Sequence, residues 1–501
     1  MQKRFLLLCS AFRTEAEQFR APFFAALLAG LAAHGYAFFN KLVNHDEIES
    51  LFGKGATITS GRWGLELVKN LFPDWSMPWI YGLVSLLLMA AAACMMLWML
   101  EIRDRGWQML LASLVVTFPA MTGNFCFMFT SAPYAWAFFL AVFSAALFCR
   151  HGRKYIVPSL VLLVLALGIY QAYIAVTASL FLLCMIRDAL DAKRSVREII
   201  LDGVKALALM AAAIAVYYAV TLLVFALTGA EFNSYVTENV NGRVSLLRRI
   251  RMAYDNFFYI FSFRNFRVIS SERSRWLHIV LAALTLLWMA VIILRRHRPL
   301  HTVLLLVLTA LLPLSICCMF LIMSGDSIHT LVMYGFVVLY FLTALTVERL
   351  GGAHGGRVGV AAGLILAVIM MSNVYFANMV YLKMQLQFEN ASAFYTVLTS
   401  RLTRAEGFDA GTRLAFVGEQ HTMLHSFPEL DTDLLQGPSR DLVNIYSREN
   451  FLRYYLGFEI PFASEEECAA LADNPEVKAM AVYPYDGSVQ KIGEIMVVKL
   501  G

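Results

Sequence analysis

Apolar residues run along most of this chain in blocks close to the roughly 20 residues a helix needs to cross a bilayer. The blocks fall at 21–41, 78–100, 107–122, 133–149, 155–170, 171–187, 204–228, 277–294, 301–323, 329–347 and 358–378, which predicts about eleven transmembrane helices. The fifth and sixth share one stretch barely long enough for two crossings. It is broken by Gly-Ile-Tyr-Gln-Ala-Tyr at 168–173, read as a tight hairpin. Between Ser245 and Phe263 the apolar positions recur at helical spacing against a polar face, predicting an amphipathic helix in the membrane interface. In the loop after the first block, Ser60 is placed to cap a helix with a Leu65, Val68, Leu71 and Phe72 stripe, bounded by Pro73 and Pro78. Beyond about residue 378 the pattern becomes that of a small globular domain. RLAFVG, AMAVYP and GEIMVVKL read as strands, and 438–456 and 464–474 as helices. The predicted fold is an α-helical polytopic membrane protein: an N-terminal lead-in at 1–20, a membrane domain at 21–378 with large loops at 42–77 and 229–276, and an α/β domain at 379–501.

Composition agrees with a membrane protein, since 59% of the 501 residues are apolar and 15% charged, against roughly 25% charged in an ordinary soluble domain. Eight cysteines form no CxxC spacing and no disulfide framework can be read from them. The lead-in lacks a small-residue cleavage site and is expected to stay on the protein. A net charge of +5 is modest, and its basic residues sit in short clusters between apolar blocks, so no nucleic-acid partner is expected. Arg103 and Arg105; Arg150, Arg153 and Lys154; Arg187, Lys193, Arg194 and Arg197; Arg295, Arg296 and Arg298; and Arg349 and Arg357 occupy alternate loops. With eleven spans all of these loops share one side, which the positive-inside rule makes cytoplasmic. The segments 42–77, 122–132, 229–276, 324–328 and 379–501 then face outward. The glycine-rich stretch at 350–359 lacks a preceding strand and reads as a linker.

The outer loops hold the polar groups that could do chemistry. His45, Asp46, Glu47 and Glu49 follow the first span directly. Such a carboxylate cluster is either a solvated loop start or a source of a general base for a reaction between a hydroxyl and a lipid-linked group. Arg62 can hold a phosphate with its planar fork, while Trp63 can anchor at the interface or stack on a sugar. Tyr170, Gln171 and Tyr173 bring hydrogen-bonding groups to the hairpin, and Asp326 and His329 lie in another short outer loop. The segment 229–276 carries eight arginines, Arg248, Arg249, Arg251 and Arg264 among them, and no lysine. That usage suits either anionic headgroups in general or the phosphate of a polyprenyl carrier. No residues form a metal cage.

His45-Asp46-Glu47 after the first span, Ser-Gly-Arg-Trp-Gly at 60–64, Tyr-Gln-Ala-Tyr at 170–173 and the outward tail domain together give the chain its likeness to a family. It resembles the bacterial Gtr-type, glucosyltransferase II-like enzymes that modify O-antigen and other surface polysaccharides, a branch of the GT-C membrane glycosyltransferases. The resemblance covers the membrane part. It implies sugar transfer from a polyprenyl phosphate, usually undecaprenyl phosphate, outside the bacterial cytoplasmic membrane, with a surface polysaccharide as acceptor and a flippase and a donor-synthesising enzyme as partners. It further implies Asp46 as the catalytic carboxylate with Glu47 as its neighbour; His45 and Glu49 read as local structure. No cofactor is called for. A divalent metal could be accommodated but is not required, because arginine can meet the phosphate charge. Two rival readings are a polysaccharide polymerase or ligase, and a transporter or flippase of lipid-linked saccharides.

Overall fold

In a computed structural model the described residues are 17–501 except 54, 56, 74, 235, 238–243, 260–268, 324–328, 410, 419–434 and 436–441, with the backbone alone for 153 and 352–355. The chain divides into two compact units. The first comprises Met1–Lys41, Leu51–Met379 and Leu434–Gln436; the second comprises Leu42–Ser50, Val380–Asp433 and Gly437–Gly501.

The first unit is helical. Among the described residues nine helices are long and apolar enough to cross a membrane: Arg20–Phe39, Pro78–Leu100, Met128–His151, Gln171–Asp191, Val196–Thr228, Glu272–Arg296, Pro299–Ile316, Thr330–Leu350 and Gly356–Leu402. A tenth candidate is the pair Arg105–Thr117 and Pro119–Phe125, bent by 40°. The bend has a local cause: Pro119 disfavours helical geometry in the residue before it, and Phe118 is extended at φ −60°, ψ 140°. The remaining apolar block is corrected downward. It forms Ile156–Ile169, and 14 residues rise only about 21 Å, short of a hydrocarbon core of about 30 Å. The presumed glycine linker is corrected too, because the backbone is already helical from Gly352.

The basic loops meet at one end of this unit. Arg150 pairs with Glu101, and Arg187 donates to the Met99 carbonyl at 2.5 Å. The Arg103 and Asp104 amides donate to Glu348 Oε1 at 3.0 Å, and Arg349 Nε reaches Asp191 at 2.8 Å. Arg298 donates to the Ala192 carbonyl at 3.0 Å, and His301 Nε2 lies 2.9 Å from the Arg194 carbonyl. Most of these contacts place cations on helix C-terminal carbonyls or on nearby acids, where the macrodipole favours positive charge. Helix starts there are capped as well: Asp104 accepts from the Trp107 amide, and Ser195 and Glu198 form a capping box.

The second unit holds a three-stranded sheet of order β1-β3-β2, with β1 Arg413–Val417, β2 Val489–Ile492 and β3 Ile495–Lys499. β1 pairs parallel to β3 with Arg413 opposite Ile495, and β2 pairs antiparallel to it with Val489 opposite Val498. The central strand reads Ile-Met-Val-Val and is buried along that length, as expected of a strand covered on both faces. Its parallel partner requires a crossover, which includes the helices Glu465–Asp473 and Pro475–Ala479. AMAVYP is not a strand: Ala479 ends a helix, Pro484 has no amide to donate, and the Tyr483 amide reaches the Lys499 carbonyl at 2.8 Å from a turn. Of the helix expected at 438–456, residues 438–441 lie outside the described residues; over the rest, helix starts at Arg448, because Asn444 Oδ1 captures the Tyr446 and Ser447 amides at 3.0 and 3.1 Å and holds a turn there.

Glu467 closes a capping box with Ser464 and accepts from Arg413 at 2.7 Å. The Ser464 amide first, and Arg413 with it, hold this carboxyl below the usual carboxylate range. A depressed carboxyl stabilises the folded state above its unfolded value near 4.5, and that contribution is lost as pH falls through the folded value. Glu467→Gln is therefore expected to flatten the acid limb of thermal stability of the full chain below about pH 5. An unchanged acid limb, measured by melting temperature against pH, would remove Glu467 from that role.

Candidate functional site

The acidic segment belongs to the second unit. Asn44, extended at φ −116°, ψ 176°, accepts the Glu47 amide at 2.9 Å and caps the one-turn helix His45–Glu49. One helical turn sends its residues to different surroundings. Val43 and Ile48 are buried in a core with Tyr395, Leu398 and Phe451, and Glu47 is fully buried. Asp46 faces out with its side chain 55% exposed, paired with His45 Nε2 at 3.2 Å. Glu49 is exposed and accepts from Asn450 Nδ2 at 3.1 Å. The two neighbouring acids therefore differ in access: an approaching hydroxyl can meet Asp46, while Glu47 points into protein.

The arginine–tryptophan motif and the tyrosine–glutamine hairpin come together in the first unit. Ile58–Ser60 forms a 3-10 turn closed by Gly61 at φ +70°, and Trp63–Leu67 is a short α-helix that starts after Arg62. Ser60 is thus not the cap expected of it; its Oγ accepts from Asn233 Nδ2 at 3.1 Å. Gln171 Nε2 donates to the Ser60 carbonyl at 3.0 Å and to Tyr217 Oη at 2.8 Å, and Tyr217 donates to the Gly61 carbonyl at 3.1 Å. Arg62 Nη1 donates to Tyr134 Oη at 2.8 Å. Its guanidinium lies 5.4 Å from the Tyr170 ring and 5.9 Å from that of Tyr134, and those rings stack at 4.2 Å. Trp63 is buried, packed on Gly168 and facing Tyr217 at 6.4 Å. The structure uses it as a packing element with its indole ring covered.

The geometry follows from the short helix Ile156–Ile169. Tyr134 sits six residues into Met128–His151, about 9 Å from that end, and Tyr217 lies eleven residues before the end of Val196–Thr228, about 16 Å in. The hairpin tip is therefore recessed below its neighbours, and residues 57–67 fold down onto it. Tyr134, Tyr217 and Asn233 were missed by sequence reasoning. A tyrosine within an apolar run reads as an interfacial aromatic, and nothing local marks its partner. Tyr134→Phe is expected to cost about 1 kcal/mol, and Arg62→Lys more, because an ammonium cannot keep both the stacking and the directed donor. Thermal unfolding of the full chain checks both; equal, undiminished stability would show the cluster to be incidental.

The remaining predicted residues are dispersed. Arg249 is engaged by backbone, donating from Nη1 to the Leu321 and Ile322 carbonyls at 3.0 and 2.7 Å. Arg248 is exposed on the amphipathic helix, observed as Leu246–Tyr259, and Arg251 pairs with Asp255 at 3.4 Å. His329 is half-buried at the start of the 3-10 segment Thr330–Val337. Arg264 and Asp326 lie outside the described residues. Among the described residues no group of three His, Cys, Asp or Glu side chains is placed to hold a metal ion.

The family model described as Glucosyl transferase GtrII matches residues 35–340, more than half of the chain. The match takes in the acidic segment, Arg62 with its tyrosines, and the hairpin; residues 380–501 lie beyond it. No curated protein and no solved structure matches the chain. With its long apolar helices and this match across most of them, the chain belongs to the GtrII glucosyl transferase family, and so is a membrane-associated glycosyltransferase acting on a sugar donor and an acceptor.

Proposed function

We propose that the protein transfers glucose from a polyprenyl-phosphate donor to a surface glycan such as O-antigen, on the outer face of the bacterial cytoplasmic membrane, within a GT-C-like membrane domain. In this reading Asp46 takes the proton of the acceptor hydroxyl as that oxygen bonds to the anomeric carbon. The bond from that carbon to the phosphate oxygen breaks on the opposite face, so the configuration inverts and the polyprenyl phosphate leaves with the electron pair. Arginines meet the charge that develops on the leaving phosphate, and Arg62, held by Tyr134 and Tyr170, is one candidate for this. The observation that carries the reading is the exposure of Asp46 on a capped turn whose next two residues are buried, inside the span matched by a glucosyl transferase family.

The test is incubation of the purified full chain with polyprenyl-phosphate glucose or with a nucleotide-activated glucose, each with and without an acceptor glycan. Transfer of single glucose units from the lipid donor alone supports the proposal. Use of the nucleotide sugar instead would sink the donor assignment, and joining of preformed chains would favour a polymerase or ligase.

A further inference from the structure

A cleft of about 280 Å³ opens at the basic end of the first unit, where the last turns of Gln171–Asp191 and Glu272–Arg296 meet the first turns of Pro299–Ile316. Leu190, Ile292 and Leu305 belong to its apolar wall, and Arg296, Arg298 and His301 line it as well. No carboxylate is among its lining residues. That sets its arginines apart from their neighbours at this end of the unit. Arg150 pairs with Glu101, Arg187 and Arg194 with Asp188 at 2.7 and 2.8 Å, and Arg349 with Asp191 at 2.8 Å. The acids beside Leu190 in the chain are therefore engaged elsewhere. Arg298 donates from Nη1 to the Ala192 carbonyl at 3.0 Å, and neither it nor Arg296 meets an acid among the described residues. Two guanidinium groups thus line one cleft without a counter-charge, and their planar forks match the oxygens of a phosphate. The apolar wall is what a free anion would not need. On the same helices Leu294, Leu300, Val303 and Val307 are exposed, and the last three recur at helical spacing along one face of Pro299–Ile316. In a membrane-spanning helix such a face meets acyl chains.

We infer that this cleft is a binding site for an anionic phospholipid of the leaflet at the basic end. Arg296 and Arg298 hold the headgroup phosphate, and the acyl chains lie along the exposed face of Pro299–Ile316. Basic pockets between membrane helices take anionic headgroups in this way. The lipid is a ligand here and not a sugar donor, so the inference stands or falls independently of the assignment of the donor and of Asp46.

The experiment titrates the purified full chain in non-ionic detergent with phosphatidylglycerol or phosphatidylcholine of the same acyl chains, and reads the Kd of the first bound lipid by native mass spectrometry. Wild type is expected to bind phosphatidylglycerol about tenfold tighter than phosphatidylcholine. The double variant Arg296→Gln, Arg298→Gln should bring the two within about twofold, while Arg295→Gln, which does not line the cleft, keeps the preference. Arg296→Gln by itself guards against a loss of fold, because its side chain has no partner among the described residues; it should lower the preference about threefold. Equal binding of the two lipids by wild type overturns the inference, and so does a preference that survives in the double variant. A preference lost as fully in Arg295→Gln also overturns it, since that describes a diffuse basic surface. Displacement of phosphatidylglycerol by inorganic phosphate, or by polyprenyl phosphate at lower concentration, would identify another phosphate ligand and end the assignment to phospholipid.

Discussion

Asp46→Asn is expected to lose glucosyl transfer by about 100- to 10,000-fold, the usual worth of a general base, while the protein stays folded. Asparagine keeps the size and shape of the side chain but cannot accept a proton from the acceptor. The fold should barely notice, because the Asp46 side chain is 55% exposed and its recorded partner is His45, one residue away. The helix is capped by Asn44, which the substitution leaves alone. Glu49→Gln serves as the comparison: it changes an exposed acid on the same turn that is held by Asn450, and activity should be close to wild type. Transfer by the two variants, measured as glucose released from the lipid donor onto acceptor, separates the acids. Full activity in Asp46→Asn would end its assignment as base. Equal losses in both would point to the turn rather than to one carboxylate.

The second large effect is expected at Gly64. A Cβ there would lie 2.6 Å from the backbone carbon of Gly168 and 2.8 Å from Ile169, closer than real contacts allow, and backbone cannot swing aside as a side chain can. Gly168 is constrained in the same way, since its own Cβ would sit 2.6 Å from the Trp63 ring. The short helix Trp63–Leu67 and the recessed hairpin therefore touch through two residues without side chains. Gly64→Ala is expected to destabilise by about 1–3 kcal/mol, as overpacking does, and to displace Arg62 from Tyr134 and Tyr170. Gly35→Ala is the control: it lies in Arg20–Phe39 with nothing within 4 Å of the added atom. There the gain in helix preference is about 0.5–1 kcal/mol. Melting temperatures that move in opposite directions confirm the close approach, and a neutral Gly64→Ala would refute it.

The two sites differ in how far the sequence reveals them. Arg62 stood out for the phosphate its planar fork can hold and Gln171 for an amide that demands partners, but Tyr134 and Tyr217, the partners they have, and Asn233, which donates to Ser60, carry no mark along the chain. Arg249 stood out for the same reason as Arg62. It is spent on the carbonyls of Leu321 and Ile322, which no spacing rule predicts. In the acidic segment, four charged or titratable residues within five positions gave no means of ranking by burial. A single turn is too short for periodicity to say which side faces protein.

What the amino-acid order determines unaided is the helical character of the apolar blocks. Continuous apolar length, backbone groups that must bond within their own segment in a hydrocarbon solvent, and capping residues such as Ser195 and Asp104 are all local properties. Tertiary structure alone decides that Leu42–Ser50 packs with 380–501, that Glu47 is buried while Asp46 is open, and that a 14-residue helix leaves a recess for Arg62. Those outcomes depend on contacts between residues far apart in the chain, whose free energy resides in packing and paired polar groups, and no local pattern encodes it.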